Sequence, residues 1–120
     1  MPSGSMKTLP TWGGKNKFRY RGSVPAGTEI EYGDDFRFKA RVGSDSYSTL
    51  LKAFAGQEVP IGTIRKTPTT APPANSVGAW LSKNVSPTAL ASYVGPILID
   101  EKYARVGSAP DRIQFKPYPN

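Results

Sequence analysis

From Lys15 to Gly22 (KNKFRYRG) and from Phe36 to Val42 (FRFKARV) apolar and basic residues alternate, and Thr28 to Tyr32 (TEIEY) repeats the period between them. A period of two is that of a β-strand with one buried face. It sets Phe18 and Tyr20 against Lys15, Lys17, Arg19 and Arg21, and sets Phe36, Phe38, Ala40 and Val42 against Arg37, Lys39 and Arg41. Pro25-Ala26-Gly27 and Gly33-Asp34-Asp35 supply the turns. The pattern predicts an antiparallel three-stranded meander within residues 15–42, with one basic face. Glu29 and Glu31 on the middle strand are placed to pair with neighbouring bases, so that face reads either as a polyanion-binding surface or as an ordinary solvated one. Residues 1–14, small, polar and punctuated by Pro and Gly, read as a flexible tail. Trp12 in that tail has no partner that the pattern suggests.

From residue 43 to 120 the period changes. Tyr47, Leu50, Leu51 and Phe54 recur at helical spacing behind a Ser44 or Asp45 cap, and Gly56 ends the helix. A short strand-like segment, EVPIGTIR (58–65), precedes the Pro- and Thr-rich loop KTPTTAPPANS (66–76). Asn75 or Ser76 then caps a helix carrying Val77, Trp80 and Leu81. Ser86-Pro87 is a helix-start pair for a further helix with Leu90, Tyr93, Val94, Ile97 and Leu98 on one face. Gly95-Pro96 within it predicts a kink or a division into two pieces. YARVG and RIQFK, joined by SAPD, read as a closing β-hairpin. The expected fold class is α+β, with the N-terminal meander packed on the C-terminal unit in one compact domain.

Composition narrows the chemistry. The chain of 120 residues has no Cys and no His, and 16 Lys+Arg against 9 Asp+Glu give a formal charge of +7. Thiol nucleophiles, Ser-His-Asp triads and Cys/His zinc sites are thereby excluded. The positive balance points to a polyanionic partner, nucleic acid first. No apolar run approaches the roughly 20 residues of a membrane span, and no signal-like apolar stretch stands near the N-terminus, so an intracellular, cytoplasmic protein without a membrane partner is expected.

The succession helix, short strand, helix, helix, hairpin resembles the winged helix-turn-helix superfamily over the last two-thirds of the chain. VGAWLSKNVSPTALASYVGPILIDEKYARV followed by RIQFK carries the resemblance. Leu98 to Tyr103 fits the family's L-x-x-x-G-Y ending of the second helix, with Lys102 where glycine is usual. The resemblance implies that the second helix enters the major groove of double-stranded DNA, with the hairpin as a wing. Ser86, Thr88 and Ser92 then lie on its exposed side, and Lys83, Arg105 and Arg112 reach phosphates. No Arg, Asn or Gln stands on that side, so weak direct readout or shape-led binding is expected. With the ribbon bases Lys15, Lys17, Arg19, Arg21, Arg37, Lys39 and Arg41, these residues form the expected nucleic-acid interface.

Winged-helix folds also dock proteins, so an adaptor meeting an acidic partner is the alternative. The aromatics between the bases are expected in the core, opposite the basic face; stacking on single-stranded bases is their other reading. An exposed meander edge would permit a homodimer. A metal-dependent nuclease is a lesser alternative, since Asp100-Glu101-Lys102 and Pro110-Asp111 resemble restriction-nuclease pieces in reversed order. No catalytic residue, metal site or cofactor is expected.

Overall fold

The computed structural model describes residues 6–63, 70–86 and 89–117. Its first half is an antiparallel sheet in the order β1-β2-β3-β4, with β1 (Lys7–Pro10), β2 (Lys17–Ser23), β3 (Gly27–Tyr32) and β4 (Phe38–Gly43). The predicted meander is present and has a fourth strand. Lys7 to Pro10, expected in a flexible tail, pair with Tyr20 to Lys17. Leu9 lies opposite Phe18 in that pairing and packs against the core, which offsets the cost of ordering the segment.

The second half runs α1 (Ser44–Ala53), β5 (Glu58–Pro60), α2 (Val77–Asn84), α3 (Ala91–Asp100), β6 (Ala104–Val106) and β7 (Arg112–Phe115). Its three strands form a small antiparallel sheet in the order β5-β7-β6. The molecule is α+β, and both sheets share one core. Phe18, Ile30 and Val42 from the first sheet meet Leu50, Leu81, Val94, Leu98 and Ile113 in a single buried cluster. Helix α1 packs on β3 and β4, while α3 packs on both β1 and β6. Between α1 and β3 the hydroxyls of Thr28 and Tyr47 share a buried hydrogen bond of 2.7 Å.

A local signal sets the start of α2. The Ser76 hydroxyl accepts from the Ala79 N–H at 3.0 Å, the expected cap of α2. Helix α1 starts at Ser44 with Gly43 as its cap residue, so the expected Ser44 or Asp45 cap lies inside the first turn. The strand predicted over 58–65 stops at Pro60 among the described residues; Ile64 and Arg65 lie outside them. Beyond Pro60, the Ile61 N–H donates to the Asp111 carbonyl and its own carbonyl accepts from the Gly78 N–H, both at 2.9 Å, which ties this segment to α2.

Helix α3 departs furthest from expectation. It begins at Ala91, well after the predicted Ser86-Pro87 start, of which Pro87 lies outside the described residues. It then runs through Gly95-Pro96 as one continuous helix. A proline in a helix leaves the carbonyl four residues back without its donor. Here that carbonyl belongs to Ser92, and the backbone N–H of Trp12 donates to it at 3.0 Å. The Trp12 ring lies so close to Gly95 that a Cβ there would stand 2.7 Å from the ring's Cε3. The indole N–H donates to the Pro110 carbonyl at 2.8 Å, and so ties β1, α3 and the β6–β7 turn together.

The end of α3 is a Schellman motif. Tyr103 N–H donates to Leu98 at 2.8 Å, Lys102 N–H donates to Ile99 at 3.1 Å, and Lys102 takes a left-handed φ of 70°. Lysine therefore occupies, in the left-handed conformation, the position where glycine is usual.

Candidate nucleic-acid interface

Register places the charges of the first sheet. Arg19 stands opposite Glu31, which stands opposite Lys39; Arg21 stands opposite Glu29, which stands opposite Arg41. Directly opposed residues share a face, so these side chains and Lys17 form its outer surface. Arg19 Nε bonds Glu31 at 2.6 Å, Arg21 Nε bonds Glu29 at 3.0 Å, and Arg41 Nη2 lies 3.7 Å from the same Glu29 carboxylate. The hydrogen bond from Arg21 holds Glu29 below the ordinary carboxylate range, and Glu29 in turn raises Arg21. The ladder uses part of the basic charge and leaves the rest. Lys15, Lys17 and Lys39 are exposed and make no described ion pair, and Arg37 reaches only the Asp34 carbonyl at 3.5 Å.

Two of the seven ribbon bases lie off the strands: Lys15 precedes β2, and Arg37 follows the 3-10 turn Asp34–Phe36. That turn also alters the aromatic pattern. Phe18 and Tyr20 are buried as expected, but Asp35 and Phe36 adopt left-handed φ values of 58° and 53°, which break the alternation ahead of β4. Phe36 consequently turns to the basic side, where the Arg19 guanidinium lies 4.6 Å from its ring centroid. Phe38, at the inner end of β4, stays 53% exposed and stacks on Tyr32 at 5.7 Å.

The helical contribution is different from what the pattern implied. None of the ten residues of α3 is exposed. Tyr93 stacks on Tyr32 at 4.8 Å and meets Phe18 edge-on at 5.2 Å, so the inner face of the first sheet covers the helix. The least buried residues of α3, Ser92, Tyr93, Pro96, Ile99 and Asp100, are all partly covered. Ser92, expected to read base edges, is half-buried, with its carbonyl engaged by Trp12. Ser86 is half-buried beyond the end of α2, its N–H bonded to the Leu81 carbonyl, and Thr88 lies outside the described residues. The basic outer face and α3 lie on opposite sides of the sheet, so they do not form one surface.

Of the other bases, Lys83 and Arg105 are exposed, on the last turn of α2 and on β6. Arg112 is half-buried and tied to the fold. Its Nε bonds Glu58 at 2.9 Å, and Ser108 donates to the same carboxylate through its hydroxyl at 2.6 Å and its N–H at 2.8 Å. These bonds, the Ser108 hydroxyl foremost, hold Glu58 below the usual carboxylate range.

Asp100 and Glu101 form a second structural cluster. Asp100 accepts from Lys7 Nζ at 2.7 Å and from the Tyr20 hydroxyl at 3.2 Å. Glu101 accepts from the same hydroxyl at 2.9 Å and from the Val24 N–H at 2.9 Å. The Lys7 bond lowers Asp100, while burial, followed by the Glu101 carboxylate, raises Tyr20 well above the ordinary phenol. Both carboxylates thus latch the first sheet to the end of α3. Among the described residues, no three acidic side chains gather as a metal site, and no helix is long and apolar enough to cross a membrane.

No family model, no curated protein and no solved structure matches the chain.

Proposed function

We propose that this is a non-catalytic DNA-binding protein that holds the phosphate backbone of double-stranded DNA against the outer face of the β2–β3–β4 sheet. The carrying observation is the set of four basic side chains, Lys15, Lys17, Arg37 and Lys39, that make no carboxylate ion pair among the described residues, beside the Arg19 and Arg21 ladder. Cations free of carboxylates bind phosphate without first breaking an ion pair. The element order from α1 to β7, with the second sheet ordered β5-β7-β6, supports the winged-helix resemblance of residues 43–120. Within that resemblance the second helix acts as a core element, so binding through backbone and shape is favoured over base readout. Such a role implies an intracellular, cytoplasmic setting.

Phe38, half-exposed on the edge strand β4 and on the opposite side from Lys39, favours a second reading in which the β4 edge, apolar on one side and basic on the other, docks an acidic protein. Titration of duplex DNA at several salt concentrations separates the two. Neutralising about four phosphates gives a slope of log K against log salt of roughly −3.6. Absence of duplex binding at low salt removes the DNA reading and leaves the protein-docking one.

A further inference from the structure

At one end of the first sheet, the β1–β2 turn, the β3–β4 turn and the first turn of α3 surround an open cleft of about 470 Å³. Asn16 and Lys17 line it from the first turn, Asp34, Asp35 and Phe36 from the second, and Tyr93 from the helix. That volume lies within the range of small-ligand sites and accommodates one nucleoside.

The walls are held in place before any ligand arrives. Tyr93 is fixed by its ring contacts to Tyr32 and Phe18. Thr11 N–H donates to the Asn16 carbonyl at 2.9 Å, and the Trp12 bond to Ser92 fastens the same turn to α3. On the other side, Asp35 and Phe36 are successive non-glycine residues in the left-handed region, which L-residues adopt only at a cost. Strain of this kind collects at binding sites, and here it brings an aromatic ring to the cleft wall.

The chemistry of the lining selects among ligands. Phe36 and Tyr93 border the cleft, each with one ring face already engaged, by the Arg19 guanidinium and by Tyr32, so a planar ring would stack on the remaining face. The Asp34 and Asp35 carboxylates and the Asn16 amide can accept hydrogen bonds from an amino group. Lys17 in the wall, with Lys15 and Arg37 adjacent in the chain, supplies positive charge at the rim. A free phosphate would face two carboxylates, and a simple cation would face the lysine. A base bearing an amino group, attached to a phosphate backbone, satisfies both charges together.

We propose that this cleft receives one unpaired, amino-bearing nucleobase from a nucleic acid whose phosphates lie along the basic face. The inference rests on the nucleic-acid reading above and adds a preference that backbone contacts alone do not give.

Fluorescence anisotropy with matched duplex DNA, and with the same duplex carrying one bulged cytosine or one bulged thymine, tests it. The bulged cytosine is expected to raise affinity about tenfold over the matched duplex, and thymine less. Phe36→Ala is expected to remove the preference, with folding checked by circular dichroism. Asn16→Trp, which fills the cleft from an exposed turn position, is expected to do the same and decides the matter if Phe36→Ala fails to fold. Equal, salt-dependent binding of all three duplexes overturns the cleft while leaving the backbone reading in place. A cytosine preference that survives in the folded variants also overturns it. Failure of every duplex to bind removes both.

Discussion

Trp12 supplies to helix α3 the hydrogen bond that Pro96 withholds: its backbone N–H donates to the Ser92 carbonyl at 3.0 Å while its ring rests on Gly95. Three features that have no local explanation, a tryptophan among glycines, a mid-helix glycine and a mid-helix proline, thus form one contact. The contact predicts a coupling. Trp12→Ala should cost about 3 kcal/mol by loss of packing against the helix. Gly95→Ala should cost about 1–3 kcal/mol through overpacking, although alanine is the better helix former. In the Trp12→Ala background that second cost should shrink by about 1 kcal/mol, without vanishing, because Ile61 Cδ1 also lies 2.9 Å from the added carbon. Urea unfolding of the four proteins measures the cycle, and strict additivity would sink the idea.

The left-handed lysine at the end of α3 gives a prediction of opposite sign. Lys102→Gly removes the Cβ from a φ of 70° while keeping the Schellman hydrogen bonds, and should stabilise the protein by about 0.5–1 kcal/mol. A lower urea midpoint for the variant would show that the lysine side chain contributes more than its backbone conformation costs.

Acid should loosen the joint between the first sheet and α3. Asp100 and Glu58 are both held below their ordinary range, so each contributes stability that is present above the unfolded carboxyl pKa and is lost as pH falls through the lower folded value. Unfolding midpoints should therefore be flat from neutral pH to about 5 and decline below about 4. In Asp100→Asn the decline should be shallower, because one of the three linked protons, those of Asp100, Glu58 and Glu29, has been removed. An unchanged pH profile in that variant would separate the Lys7–Asp100 pair from stability.

Binding and folding should separate on different bases. Lys17→Ser with Lys39→Ser should weaken duplex binding at least about tenfold and flatten its salt slope, with stability within about 0.5 kcal/mol of the parent. Arg112→Ala should do the reverse, costing about 1 kcal/mol by releasing Glu58 and Ser108 while leaving duplex affinity near the parent value. Equal loss of binding in both would move the interface toward the β6–β7 hairpin.

The sequence by itself determined whatever depends on neighbours along the chain. Alternation fixed which side chains of β2, β3 and β4 share a face, and so made the basic surface and its glutamate ladder legible. Helical spacing and the Ser76 hydroxyl did the same for α2, because a cap acts over three residues. Even the departure at Lys102 was visible as a residue type at odds with its position.

Tertiary structure decided what depends on contacts between distant segments. Pairing with β2 made Lys7 to Pro10 a strand, and the Trp12 N–H let α3 continue through Pro96. Covering by the first sheet turned an expected groove-reading helix into a core helix. The cleft between the two turns and Tyr93 belongs to the same class. The physical reason is common to all of these: a periodic pattern records which face of an element is apolar, but not which other element buries it. Much of the basic charge could be assigned to strands from the sequence; only the fold shows that those strands turn it away from α3.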